Sequence, residues 1–250
     1  MGHHVRGRLG ILFVCLIGLS SCGSDSIAAP DDAALAILFV GNSLTYSNAL
    51  PGVVEGMLQT VSDGPVVVGE AAYPDYGLSD HWVSGDSRPR IAEGGWDVVV
   101  LQQGPSATTG RPSLLEYTDL FAAEIRASGA VPALYMVWPS EARSFDFDGV
   151  ADSYTTAAEQ VGGMLFPVGE GWRIAWGLDP DIELYGPDGF HPSAAGTYLA
   201  ALVMYQQLSG QDPRELPLSF FNLGLSEGDV ETLQNAAAEA NELYALTPNG

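Results

Sequence analysis

Residues 35–40, Leu-Ala-Ile-Leu-Phe-Val, form an unbroken apolar run that Gly41 closes and Asn42-Ser43-Leu44-Thr45 follows. A strand that is apolar at every position has no face to offer water. It must lie inside a sheet covered on both sides, and such sheets are built from parallel strands with helices above and below. No other feature of the chain narrows its fold as much. Four further runs, apolar but for Glu70 and Asp97, read as strands at residues 65–70, 96–101, 131–138 and 164–169. Helical patterns separate them at 50–61, 112–127 and 150–161, and a short helix is expected at the end of the loop 73–82. In 112–127, Leu114, Tyr117, Phe121 and Ile125 share one face, and Gly129 ends the helix. Ser193 is placed to cap one more helix, running to residue 208, while 170–187 reads as loop and short helix. The alternation predicts an α/β domain, a three-layer α/β/α sandwich on a parallel, doubly wound, flavodoxin-like sheet of five strands.

Such sheets bind ligands at the carboxyl ends of their strands, and Ser43 follows the first strand there. Two readings are open for it. Its hydroxyl can cap the next helix, or it can be a nucleophile, which needs a base and an orienting acid from elsewhere. Asp188-Gly189-Phe190-His191-Pro192 supplies both within one turn. The imidazole of His191 can take the serine proton, and Asp188 can hold its far nitrogen. His81, the rival base, lies in a polar loop with no Asp three residues before it, and reads as substrate-side or exposed.

Taken together, Gly41-Asn42-Ser43-Leu44 and Asp188-Gly189-Phe190-His191 resemble the SGNH (GDSL-like) hydrolase family, over roughly residues 34–209. The resemblance implies the fold of that family and a serine esterase with Ser43 as nucleophile, His191 as base and Asp188 as orienter, working through an acyl-enzyme. It also implies an oxyanion hole made by the N–H of Ser43, a glycine N–H from the second conserved block and an asparagine amide from the third. Gly77 is the expected glycine, with an ordinary turn as the alternative. The third block departs from the family pattern: Gln102-Gln103-Gly104-Pro105-Ser106 holds no asparagine. A glutamine amide offers the same donor on a longer arm, so Gln102 is expected in that role and Gln103 is the second choice. Both could instead cap the strand end. Trp138 and Gln103 are expected on the substrate side, core packing being equally open for Trp138. Tyr46, Tyr73, Tyr76 and Trp82 lie on segments expected near the nucleophile, where flat faces could stack on sugars.

The 250-residue chain opens with Arg6 and Arg8, an apolar stretch at 11–19 and small residues, which reads as a secretory signal over residues 1–21. Leu19-Ser20-Ser21-Cys22 resembles a bacterial lipobox, with Cys22 as the lipidated residue. Residues 22–33 then form a tether, and 34–250 one hydrolase domain with a C-terminal helical extension at 211–250. In that extension Ser226 and Asp229 make a capping-box pattern and Leu225 with Val230 a staple, with Val230, Leu233, Ala237 and Ala240 as the packing stripe.

Composition removes many mechanisms. The chain has no lysine, and without Arg6 and Arg8 it sets 7 arginines against 31 acids, a net charge of −24. That disfavours nucleic acid and anionic membrane surfaces as partners and excludes a phosphate loop or a Schiff-base lysine. Only His81 and His191 remain past the leader, too few for a multi-histidine zinc site. Asp146-Phe147-Asp148-Gly149 reads as a helix-entry turn rather than a calcium loop. The expectation is a cofactor-free, metal-free monomer acting on a small-molecule or glycan ester. O-acetyl or other short acyl groups on carbohydrate are favoured, and a lipid anchor in the bacterial envelope is the one membrane contact. An O-acyltransferase with the same three residues and a non-catalytic glycan-binding lipoprotein are the alternatives.

Overall fold

In the computed structural model, residues 1–2, 29 and 32–245 are described. Most of the leader, Cys22 and most of the tether lie outside the described residues. β1 (Leu35–Gly41) is buried from Ala36 onward and is an interior strand of a five-stranded sheet. Its neighbours are β2 (Val66–Ala72) and β3 (Val98–Leu101), followed by β4 (Val131–Tyr135) and β5 (Met164–Phe166), in the order β2-β1-β3-β4-β5. Every pairing is parallel, with Phe39 opposite Glu70 on one side and Val100 on the other. The chain leaves β1 for β2 on one side and then crosses to β3 on the other. The carboxyl end of β1 is therefore the switch point at which such sheets open a crevice.

Helices cover both faces. α1 (Ser43–Tyr46) follows β1 directly, and α2 (Leu50–Gln59) packs on α8 (Ala194–Ser209). α8 in turn packs on α7 (Val168–Leu178) and α9 (Glu227–Ala245). In a second group α3 (Leu78–Ser84) and α4 (Ser87–Glu93) lie against α5 (Arg111–Ala127), which packs on α6 (Phe147–Val161).

The fifth strand is shorter than its apolar run, and the stretch read as loop and short helix begins inside an 11-residue helix. Pro167 has no N–H for the ladder, and α7 begins at Val168. Tertiary contacts override its three glycines. A Cβ on Gly169 would stand 2.4 Å from the carbonyl oxygen of Val137, and one on Gly171 3.5 Å from the Leu199 side chain. The helix is held by Trp172, fully buried and stacked on Trp138 at 3.8 Å between ring centroids.

The C-terminal extension is a structural layer of the domain. The Ser226 hydroxyl accepts from the N–H of Asp229, as a cap should, and α9 lays Val230, Leu233, Ala236, Ala237 and Ala240 against α7 and α8. Its buried amides are paired. Gln234 donates to the carbonyl of Leu216 at 2.8 Å, and Asn241 donates to that of Val203 at 3.1 Å. Leu233→Ala should lower unfolding stability in urea by about 2–4 kcal/mol through the cavity left under a helix that holds none of the expected site residues. A loss below about 0.5 kcal/mol would show that α9 is only loosely attached.

Candidate active site

The turn after β1 is built by the shortage of acceptors at its end. Asn42 leaves the ladder with extended dihedrals and caps α1, its Oδ1 accepting from the N–H of Leu44 at 3.1 Å. Its own N–H donates to Gln102 Oε1 at 2.9 Å, and its Nδ2 donates to the Tyr76 carbonyl at 2.9 Å. The same Gln102 oxygen accepts from the Thr45 hydroxyl at 2.8 Å. A Cβ on Gly41 would lie 2.4 Å from that oxygen and 2.3 Å from the threonine Oγ1, which is why the strand closes with glycine. Ser43 is half-buried at the first helical position, and its N–H has no acceptor among the described residues.

His191 arrives on a turn fixed at both shoulders. Gly186 donates to the His191 carbonyl at 2.7 Å, and Ser193 donates to that of Leu184 at 2.8 Å. Asp188 Oδ1 accepts from the N–H of His191 at 2.9 Å and of Phe190 at 3.0 Å. Its Oδ2 lies 2.5 Å from His191 Nδ1, and His191 Nε2 lies 2.8 Å from Ser43 Oγ. Hydrogen bonding to His191, then to the two backbone N–H groups, lowers the Asp188 carboxyl to about 2 although it is solvent-exposed. An ionised carboxylate only accepts, so the imidazole proton sits on Nδ1 and Nε2 is left to accept from the serine hydroxyl.

A cleft of about 380 Å³ opens beside Ser43, walled by Tyr76, Gly77, Gln103, Ser106 and Phe190. A second cavity of about 490 Å³ shares Pro105, Ser106, Gly110 and Phe190 with it and reaches Arg143.

Ser43, Asp188, His191, Gly77 and Gln103 thus come together, and other expected residues do not. Gln102 is fully buried and spends its Nε2 on the Gln103 carbonyl at 2.6 Å, so it is a strut under the turn and does not face the cleft. Gln103, the second choice, lies at the cleft wall. Its carboxamide accepts from the N–H of Leu78 at 3.2 Å and donates to Ser106 Oγ at 2.7 Å and to the Gly110 carbonyl at 3.1 Å. Gly77 borders the cleft, but its N–H donates to Asp80 Oδ2 at 2.9 Å, the carboxylate reaching back over the start of α3.

Trp138 is fully buried and does not line the cleft beside Ser43. Its indole N–H donates to the Phe190 carbonyl at 3.0 Å and so supports the histidine turn from inside. Trp82 packs edge-on against Phe121 under the Arg88 guanidinium, leaving Tyr76 as the half-buried aromatic of that group that borders the cleft. His81 is likewise neither exposed nor substrate-side. It is fully buried, and its Nε2–H donates to the Gly41 carbonyl at 2.7 Å. Two contributors carried no local signal. The buried Tyr154 hydroxyl donates to the Gln103 carbonyl at 2.6 Å from across the domain, and Asn48 bonds to the histidine turn.

No protein-family model and no curated protein matches this sequence. Solved structures do. A Slackia heliotrinireducens protein assigned to the SGNH hydrolases is 27% identical, with 70% of this chain and 99% of that one covered at a TM-score of 0.58. A DUF4886 family protein from Bacteroides uniformis is 19% identical over 86% of this chain and 96% of its own, at a TM-score of 0.67. An acetyl xylan esterase from Geobacillus stearothermophilus, 16% identical over 71% of this chain and 95% of its own, shares the fold at a TM-score of 0.51. A five-stranded parallel sheet with a serine after β1, read beside these likenesses, defines an SGNH-type hydrolase. The chain has the fold of the SGNH (GDSL-like) ester hydrolases.

Burial pushes the His81 imidazole below its ordinary 6.5, the bond to the Gly41 carbonyl and the charges of Asp80 and Asp86 opposing only in part. The unfolded chain then binds this proton more readily than the folded one. The stability that His81 contributes is complete above pH 6.5 and is lost as pH falls below it. His81→Gln, which keeps a donor for Gly41, should lose less stability than wild type between pH 7.5 and 5.5 in urea unfolding. Equal losses would place the acid-sensitive group elsewhere.

Proposed function

We propose that this protein is a serine esterase that removes short acyl groups, O-acetyl groups on carbohydrate being favoured. The observation that carries the reading is the continuous path Asp188–His191–Ser43, with 2.5 Å and 2.8 Å separations. His191 Nε2 takes the Ser43 proton as Oγ attacks the ester carbonyl. The tetrahedral oxyanion is held by the unpaired N–H of Ser43 and by the Gly77 N–H once the Asp80 carboxylate turns away. Gln103, in place of Gln102, is the third group at that wall, and its Nε2 donates there once it gives up its bond to Ser106 or to the Gly110 carbonyl. Each such donor is worth about 10²–10³ in rate. The imidazolium, steadied by Asp188, protonates the departing alcohol, and the same ring then activates water to release the acid.

Cleft size and lining support a short acyl group. About 380 Å³ beside Ser43, walled partly by glycine, Ser106, Ser113, Asp75 and Gln103, suits a small polar ester better than a long alkyl chain. Tyr76, with Tyr73 at 5.2 Å, offers an aromatic edge for a sugar ring. The large acid surplus disfavours anionic lipids. The same reading places the protein on the bacterial envelope as a monomer, lipid-anchored through Cys22. One observation favours a second reading, glycan binding without turnover: the Gly77 N–H is already engaged by Asp80.

Hydrolysis of p-nitrophenyl acetate and butyrate decides between them. Ser43→Ala and His191→Ala should each lower kcat/KM by at least about 10³ while circular dichroism stays unchanged, and Asp188→Asn by about 10²–10⁴. Wild-type rates in either of the first two variants would end the assignment, and a folded, inactive wild type would favour the binding reading. Acetylated oligosaccharides should be hydrolysed in preference to long-chain glycerides; the reverse order would overturn the carbohydrate assignment.

A further inference from the structure

Ser43 and His191 stand 148 positions apart, yet their side chains meet at 2.8 Å. Packing of α2 on α8 brings the two pieces of chain near each other. Ring nitrogen and hydroxyl must then be registered far more finely than helix packing alone secures, because a misplacement of about 1 Å can cost 10²-fold in rate. Among the described residues, one other side chain hydrogen-bonds the nucleophile segment to the turn that carries the histidine. Asn48 Nδ2 donates to the carbonyl of Pro192 at 3.1 Å, to that of Ser193 at 3.2 Å and to Thr197 Oγ1 at 2.9 Å. Two hydrogens serve three acceptors, so one bond is shared. The first acceptor belongs to the residue directly after His191, and the third sits in the first turn of α8.

The backbone is shaped for this reach. Asn48 holds φ 51° and ψ 27°, a left-handed conformation that asparagine tolerates better than most side chains, and the helical run from Ser43 breaks there. Asn48 is exposed, so loss of its carboxamide leaves no buried void. A residue wanted only for stability has little reason to be there. One wanted to hold the two strands of chain in register does.

We propose that Asn48 is a positioning residue of the reaction. Its carboxamide clasps the chain just beyond His191 and keeps the imidazole within hydrogen-bond distance of Ser43. The kinetic consequence rests on the serine-esterase reading; the geometric one does not.

Three variants and two readouts test it. Asn48→Gly keeps the left-handed backbone and deletes the carboxamide. Asn48→Asp keeps its size but turns oxygen toward two carbonyls and removes the donors. Thr197→Val removes one acceptor of three. With p-nitrophenyl acetate, Asn48→Gly should lower kcat at least about tenfold while KM moves less than about threefold. Asn48→Asp should be slower still and Thr197→Val the mildest, with melting temperatures within a few degrees of wild type. In a crystal structure of Asn48→Gly, the Ser43 Oγ–His191 Nε2 separation should exceed about 3.5 Å. An unchanged separation overturns the proposal whatever the kinetics, as does a fall in kcat matched by general unfolding. If wild type shows no Ser43-dependent turnover, the esterase reading fails, and the measured separation alone decides the role of Asn48.

Discussion

A buried backbone N–H at the end of a strand must find an acceptor, and at Asn42 that acceptor is the Gln102 carboxamide oxygen. The parallel ladder on β1 ends at Gly41, and the chain has to turn sharply to bring a side chain to the rim of the sheet. Gln102 follows β3, whose Leu101 pairs with Val40, so its oxygen is delivered by a rigid neighbour. It serves Asn42 and Thr45 at once, and its nitrogen is satisfied by the next carbonyl in its own chain. From the opposite side, the Gly41 carbonyl accepts from Tyr73 and His81. With its neighbours tied in this way, the N–H of Ser43 is the donor of the turn left over for a ligand.

The second half of the site depends on a different balance. Asp188 is exposed and would gain little from Coulomb attraction across water. It stays ionised because short, local hydrogen bonds from the imidazole and from the N–H groups of Phe190 and His191 stabilise its charged form. The turn that concentrates these donors is held from below by the buried Trp138 indole, itself stacked on Trp172 of α7. Core packing and acid–base chemistry are connected through one indole N–H. The stretch richest in buried aromatics therefore supports the site without lining it.

Charge is handled on the surface. Each of the seven described arginines bonds an acidic side chain, except Arg126, which donates to the Val161 and Gly162 carbonyls. With no lysine present, the unpaired charge is almost entirely acidic. Even Arg143, at the far end of the cavity that adjoins the cleft, is paired with Asp146. A ligand entering from that side meets a locally neutral wall on a strongly anionic protein.

Local pattern was enough to place the strands and most helices and to single out Ser43, Asp188 and His191, whose side chains the fold brings together. β1 and β3 are apolar throughout because both faces of the sheet are covered there, and burial of that kind is written into composition; the edge strand β2 carries the exposed Glu70. Asp188 and His191 share one turn, so their partnership is a matter of sequence spacing, and a glycine-closed strand announces Ser43. What local pattern could not rank was any residue whose role depends on where its amide or ring points in space. Gln102 and Gln103 are adjacent and chemically identical, and the sheet alone decides that the first turns inward to Asn42 while the second faces the cleft. Trp138, Trp82 and His81 were assigned by the chemistry of their side chains, whereas burial against Trp172, Phe121 and the Gly41 carbonyl determined their roles. α7 was expected only as a short helix within a loop for the same reason, since glycines that weaken an isolated helix are required where Val137 and Leu199 approach it closely. Sequence by itself determined which chemistry the chain could hold, because reactive groups and buried runs are properties of residues. Only the tertiary structure decided which donors remain free to use it, because a hydrogen bond is spent or spare according to its neighbours in space.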